Sequence, residues 1–276
     1  MKIQDDVKKN LALPTSTRST PYLSIQKAFR IMELLAAHAP LGVTEIAQQL
    51  GLEKSSVSRL LKNLCTMGYA VRNADRGQYQ LSPRILVLAQ RYQEGDRLVR
   101  EAQPLLRELA AAVDASAHLG ILVGRDLIIV AKEPSPGRIQ VTTRVGGRMT
   151  LHASALGKVI LAGQPQDEYE SLLDLPLTRY TKHTITDTSK LGRVLQEIRE
   201  RGYATEVEEE DLGVGCIAAP VRDAAGRWIA AVSVAGPLQG TPYRIDAPHW
   251  QMVVEKANEL SRRIGAKIPG ERTPGT

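Results

Sequence analysis

The chain has 276 residues, 43% of them hydrophobic and 24% charged, which is long for one compact domain and comfortable for two. No apolar run approaches the eighteen or so residues of a membrane span, and residues 1–21 lack the apolar stretch of a signal peptide, so a cytoplasmic protein without a membrane partner is expected. Two cysteines about 150 positions apart, Cys65 and Cys216, and five scattered histidines exclude a disulfide framework and a four-ligand zinc site, so no metal is expected.

The net charge of +6 is unevenly spread. Up to residue 92 there are 13 Lys and Arg against 6 Asp and Glu, and from residue 93 onward 23 against 24. A basic third joined to a neutral remainder points to a nucleic-acid-binding module followed by a different one.

In chain order, residues 1–21 hold Pro14, Pro21 and a Ser/Thr run, and read as a flexible tail. A first helix starts at Ser24 as N-cap, with Ala28, Ile31, Met32 and Leu35 on one face, and stops before Pro40 and Gly42. Thr44 is expected to cap a short second helix, with Glu45 in its first turn and Ile46, Ala47 and Leu50 facing inward. Gly51 ends it. A third helix runs from Glu53 or Lys54 to about Met67, with Val57, Leu60, Leu61 and Leu64 as a complete apolar stripe. After Gly68, Tyr69–Arg72 and Gln78–Leu81 flank an Asp/Gly-rich turn and read as a hairpin. Three helices and a hairpin give the order of a winged helix-turn-helix.

Ser82 and Pro83 open another helix with Ile85, Leu86, Leu88 and Ala89 as its apolar residues, leading to a further helix over 99–113. The remainder alternates strands and helices. Strands are expected over 119–123, 127–130, 140–145, 203–208, 215–221 and 228–234, and helices over 155–162, 191–201 and 247–264. Hairpins with helices beside them predict an α+β fold around an antiparallel sheet. The expected organisation is a tail (1–21), a winged helix-turn-helix DNA-binding domain (22–82), a helical linker (83–98), an effector-binding domain (99–266) and a C-terminal tail (267–276), with the compositional boundary near residue 92.

The strongest local signal is the helix pair from Thr44 to Leu64. Opposite the apolar stripe of its second helix lie Ser55, Arg59 and Lys62, flanked by Ser56, Ser58 and Asn63. Arg59 suits bidentate contact with guanine O6 and N7, and the serines suit phosphates or base edges. Arg72, Arg76 and Gln78 in the hairpin are placed to touch the flanking backbone or minor groove. A polar helix face alone is more often simply solvated; the ordered helix pair, basic wing and charge asymmetry together favour double-stranded DNA.

These residues carry a resemblance. Ala28–Ile31, Val43–Ala47, Leu50–Leu52, Ser55–Leu61 and Gly68–Tyr69 resemble the IclR family of bacterial transcriptional regulators. So, more specifically, do Leu151–Lys158, Gly215–Val221 and Ser233–Pro237. The resemblance implies a GAF-like effector-binding second domain, and homodimers or dimers of dimers on pseudo-palindromic operators. It also implies an effector site formed by backbone near Ala155 and Leu156 with the side chains of Glu206, Cys216 and Ser233. Ala235 stands where some members carry a second Ser, which favours a small organic acid with apolar or aromatic character.

Each of these residues also has a plainer role. Cys216 and Ser233 lie in an apolar strand context where burial alone would explain them, Glu206 precedes the acidic run Glu208–Asp211, expected to be a solvated loop, and His152 is expected to bond a backbone carbonyl. A rival reading pairs Cys216 with His152 as nucleophile and base. The apolar and acidic neighbours of Cys216 do not suit a thiolate, and no Ser-His-Asp elbow, phosphate loop or dinucleotide fingerprint is present, so neither catalytic residues nor a cofactor are expected. A scaffold binding only protein is disfavoured by the basic wing and the polar helix face.

Overall fold

A computed structural model describes residues 23–137, 141–240 and 243–268. The expected tail over 1–21, and Gln140 of the expected third strand, lie outside the described residues. The chain divides into two compact units between Tyr92 and Gln93.

The first unit opens with α1 (Leu23–His38), α2 (Val43–Leu50) and α3 (Lys54–Thr66), followed by β1 (Ala70–Arg72) and β2 (Tyr79–Leu81). Its core is the predicted set Ile31, Leu35, Ile46, Ala47, Leu50, Val57, Leu60, Leu61 and Leu64, joined by Leu34, Leu41 and Ala70. Each large aliphatic side chain in such a core stabilises the fold by roughly 1.5–3 kcal/mol. The helix starts differ from expectation. Leu23 is already helical, so Ser24 sits inside the first turn of α1. The N-cap of α2 is Gly42, not Thr44, and the Glu45 carboxylate reaches back to accept the Gly42 N–H at 2.6 Å. Thr44 is thereby left exposed in the first turn. Gly51 closes α2 in the left-handed region (φ 63°), which lets the Leu52 N–H return to the Ala47 carbonyl at 2.9 Å and turns the chain into α3.

The helix α4 (Arg84–Gly95) spans the division between the units and contains no buried residue. Leu86 is 68% and Leu88 55% exposed, so these two residues of the apolar face anticipated for this helix are left uncovered by the described residues.

The second unit begins with α5 (Arg97–Val113), capped by Asp96, whose side chain accepts the Val99 N–H. It continues through β3 (Ser116–Val123), β4 (Asp126–Glu133), β5 (Arg148–Met149), α6 (Ala155–Ala162), α7 (Gln166–Leu172), α8 (Thr188–Arg201), β6 (Ala204–Val207), β7 (Val214–Arg222), β8 (Trp228–Pro237) and α9 (Ala247–Arg263). The strands form one antiparallel sheet in the order β5-β4-β3-β8-β7-β6. Side chains alternate between its faces. Leu119, Ile217, Ala219, Val221, Val232 and Val234 pack with α5 and α9 on one face. Ile129, Ala204, Ala218 and Ala231 pack with α6 and α8 on the other. With helices on both sides, the central strands β7 and β8 are buried nearly throughout.

The expected strand over 140–145 does not form in its described part; the edge strand is the short β5 instead. The cause is local. Gly146 and Gly147 bond Ile129 of β4 at 2.8 and 2.9 Å, so pairing with β4 starts at the glycines and continues to Arg148 and Met149. The carbonyls of Val141 and Thr143 are taken by the Lys132 ammonium rather than by a strand. The helix α7 was not anticipated, although Pro165 followed by Asp167 and Glu168 is a helix-start signature.

Gly157 fixes how α6 meets the segment before it. A Cβ there would lie 2.3 Å from the carbonyl oxygens of both Thr150 and Leu151. Gly157→Ala should therefore destabilise the protein by roughly 1–3 kcal/mol, read as a lowered melting temperature; an unchanged melt would contradict this packing.

Candidate functional sites

In the first unit, α3 presents its expected polar face. Ser55, Ser58, Arg59 and Lys62 are exposed and Ser56 is half-buried, while Val57, Leu60, Leu61 and Leu64 on the opposite side are buried. The wing is built by Asn73, whose side-chain oxygen accepts the N–H groups of Asp75 (3.0 Å) and Arg76 (3.3 Å). Arg72 and Arg76 are exposed and Gln78 is half-buried. The Arg72 guanidinium lies over the Tyr79 ring at 5.9 Å, and Tyr79 is itself bonded to Leu41 through both main-chain groups. The wing is thus tied to the segment that leads into α2.

In the second unit, the predicted effector residues fall on the sheet face covered by α6. Ala155 and Leu156 form the buried first turn of α6, where Ser154 caps the helix by accepting the Gly157 N–H at 3.0 Å. Glu206 and Cys216 are Cα partners across β6 and β7. Ser233 on β8 pairs with Ala218 on one side and His118 on the other, and Ala235 stands beside Cys216.

The electrostatics of this face are set by burial. Glu206 is 2% exposed, which pushes its carboxyl above the usual range, against hydrogen bonds from the Cys216 thiol and the Glu209 and Glu210 N–H groups and the Lys158 charge. The same burial, with the Glu206 charge, pushes the Cys216 thiol well up. That thiol stays protonated and donates to Glu206, which is the opposite of what a nucleophile requires. His152 bonds the Thr178 carbonyl at 2.9 Å, the plainer role expected for it, so the alternative dyad has no counterpart here.

The run Glu208–Asp211, expected to be a solvated loop, is half-buried over Glu208, Glu209 and Glu210 and exposed only at Asp211. Thr181 and Thr184 donate their hydroxyls to the Glu208 and Glu209 carbonyls, at 2.5 and 2.6 Å. Glu209 forms an ion pair with Lys158, whose side chain is 1% exposed. Sequence reasoning also missed His118, Lys132 and Thr143. His118 Nε2 lies 2.6 Å from the Thr143 hydroxyl. Burial and the Lys132 charge hold its pKa down at about 3, so the imidazole is neutral at physiological pH. Alternation along β3 could have placed His118 opposite Ala117 and Leu119; its pairing with Ser233 needs the strand register, which residue patterns alone do not supply.

These features match known proteins over most of the chain. Residues 24–74 match the IclR helix-turn-helix domain, and residues 90–266 match the family described as bacterial transcriptional regulator IclR C-terminal. The chain is 32% identical over 246 residues to the HTH-type transcriptional regulator KdgR of Escherichia coli, covering 89% of this chain and 92% of that one. It is 36% identical over 252 residues to the HTH-type transcriptional regulator BhcR of Paracoccus denitrificans, covering 90% of each. Among solved structures, an IclR homolog from Microbacterium hydrocarbonoxydans complexed with 4-hydroxybenzoate is similar with a TM-score of 0.75 at 25% identity, over 87% of this chain and 98% of that one.

Glu210 supplies a pH test of the buried acidic loop. Burial, reinforced by the Asp211 and Glu206 charges, raises its pKa to about 7. The fold holds this proton more tightly than the unfolded chain does, so its contribution is complete below about pH 4.5 and is lost as pH rises through 7. Glu210→Gln stays neutral throughout. Its melting temperature relative to the parent should rise by about 5–10 °C between pH 5 and pH 8, and a constant difference would contradict the assignment.

Proposed function

The chain belongs to the IclR family of bacterial transcriptional regulators, with a DNA-binding helix-turn-helix and an effector-binding domain, and from that premise we propose that it is a dimeric regulator of a catabolic operon whose operator binding responds to a small organic acid. The observation that carries the DNA half is the division of α3 into a buried apolar stripe and an exposed face of Ser55, Ser58, Arg59 and Lys62. That face enters the major groove, with Arg59 reading guanine and the serines and Lys62 holding phosphates and base edges. Thr44 and Ser56 add phosphate contacts at the two helix starts, and Arg72, Arg76 and Gln78 meet the flanking backbone and minor groove.

The uncovered apolar face of α4, with Leu86 and Leu88, supports pairing of two chains there, which sets two recognition helices on the half-sites of a pseudo-palindrome. The helix α5 has its apolar residues Val99, Ala102, Leu105, Leu106 and Leu109 in the core of its own unit, so α4 is the pairing element proposed. Dimers of dimers extend the same arrangement.

The effector site proposed is the α6-covered face holding Ala155, Leu156, Glu206, Cys216 and Ser233. Ala235 beside Cys216 favours an acid with apolar or aromatic character, and the structurally similar homolog was crystallised with 4-hydroxybenzoate. Effector binding shifts the equilibrium between two placements of the DNA-reading units to the extent that it binds one more tightly.

Selection of genomic duplexes by the parent protein supplies the operator for a test. Arg59→Ala should lower affinity for that duplex by about 1–3 kcal/mol, roughly 5–150-fold, and relax its preference at one base pair while the melting curve is unchanged. Undiminished, equally selective binding would remove α3 as the reading element.

A further inference from the structure

One cross-strand row on the α6-covered face reads, strand by strand, Ser233 on β8, His118 on β3 and Lys132 on β4, each the Cα partner of the next. The β3–β4 ladder shifts at Leu119/Gly120, so that Ala131 packs with the α5 face while Ile129 packs with α6. Glu133, beyond Lys132, turns to α5 and accepts from Gln103 at 3.0 Å. Alternation then leaves Lys132 on the α6-covered face with His118 and Ser233. With strands about 4.8 Å apart, the row is about 10 Å long, the scale of a small organic acid.

The charges along this face are asymmetric. Glu206 and Glu210 stand at the β6 end, and the buried Lys158 there is held by Glu209. Lys132 stands at the other end. It is half-buried, and its ammonium donates to the main-chain carbonyls of Thr143 at 2.8 Å and Val141 at 3.4 Å. Among the described residues no carboxylate acts on it, and burial lowers its pKa. A partly desolvated cation held by neutral carbonyls gains from an anion.

We propose that Lys132 is the seat of the effector carboxylate, with His118 and Ser233 as the neutral hydrogen-bonding groups along the bound molecule, and that the ammonium exchanges the Val141 and Thr143 carbonyls for the ligand. The inference rests on the organic-acid reading of this site and fixes the ligand's orientation within it. The carboxylate lies toward β4, and the rest of the molecule lies toward Ala235 and Cys216. The row offers one ammonium and two neutral groups next to an acidic neighbourhood. It therefore suits a singly charged carboxylate, whereas a phosphate dianion would bring a second negative charge toward Glu206 and Glu210. Exchange of the carbonyls releases the segment around Thr143 from the sheet, so occupancy of the site is felt in the backbone over 141–147.

The test is calorimetric titration of the full chain with benzoate, 4-hydroxybenzoate, pyruvate and glyoxylate, and with the neutral primary amide of each. At least one acid should bind, about tenfold or more tighter than its amide. Lys132→Met should abolish that difference by weakening the acid and leaving the amide within about threefold, and Lys132→Arg should restore the preference for the acid. Ser233→Ala should weaken acid and amide alike. An acid and amide that bind the parent equally overturn the inference without recourse to any variant. Lys132→Met that binds the acid as the parent does, while Ser233→Ala weakens it, overturns the seat and leaves the site reading intact. Failure of all four acids to bind, or binding indifferent to both variants, overturns the organic-acid reading and this inference together.

Discussion

A sheet covered by helices on both faces keeps bulk water from its centre, so a polar side chain placed there needs a hydrogen-bonding partner. Most of what is distinctive in the second unit follows from that constraint. Along β7 and β8 the face toward α5 and α9 is aliphatic. The face toward α6 carries Glu206, Cys216, Ser233 and His118, and the carboxyl, the thiol and the imidazole each have a partner. Glu206 takes the Cys216 thiol and the N–H groups of Glu209 and Glu210, which folds the acidic run inward. His118 takes the Thr143 hydroxyl, and Lys132 takes the carbonyls on either side of Thr142. Two connecting segments, over 208–211 and 141–147, are therefore shaped by side chains of the sheet rather than by propensities of their own. Both are attached to the same polar patch, so a ligand that competes for those partners is coupled to both.

The first unit obeys a simpler rule. The buried residues of its core are aliphatic. Glu45 holds the start of α2, Gly51 sets the bend into α3, and Asn73 shapes the wing. The result is a rigid platform on which Arg59 and Lys62 project from a helix instead of a loop. Such placement suits recognition of base edges, which requires side chains held to well under an ångström. The exception is α4, whose Leu86 and Leu88 are left exposed by the described residues.

How much of this was legible in the sequence depended on the range of the interactions. The stripe of Val57, Leu60, Leu61 and Leu64 repeats with the helix period, and it located α3 and its exposed face directly. The capping of α2 was misplaced because Thr44 is a good cap by type, while the actual cap, Gly42, works through the Glu45 side chain. Val141, Thr142 and Thr143 are good strand residues, but the expected strand over 140–145 does not form in its described part because Lys132 claims the Val141 and Thr143 carbonyls. In the proposed effector site, the resemblance supplied Glu206, Cys216 and Ser233. His118 and Lys132 could not be found, since they are placed beside Ser233 through a register that also includes a shift at Leu119/Gly120. The partial burial of Glu208–Glu210 escaped the sequence for the same reason. Acidic runs are usually solvated, and the partners of this one, Lys158, Thr181 and Thr184, are distant in the sequence.

The proposal that one unit reads DNA and the other adjusts that reading when an acid binds can be checked by quantitative footprinting of the full chain on its selected duplex, with and without an acid shown to bind it. Two protected half-sites about one helical turn apart are expected, with an occupancy that changes with the acid. An acid that binds and leaves both the protection pattern and its affinity unchanged would contradict it.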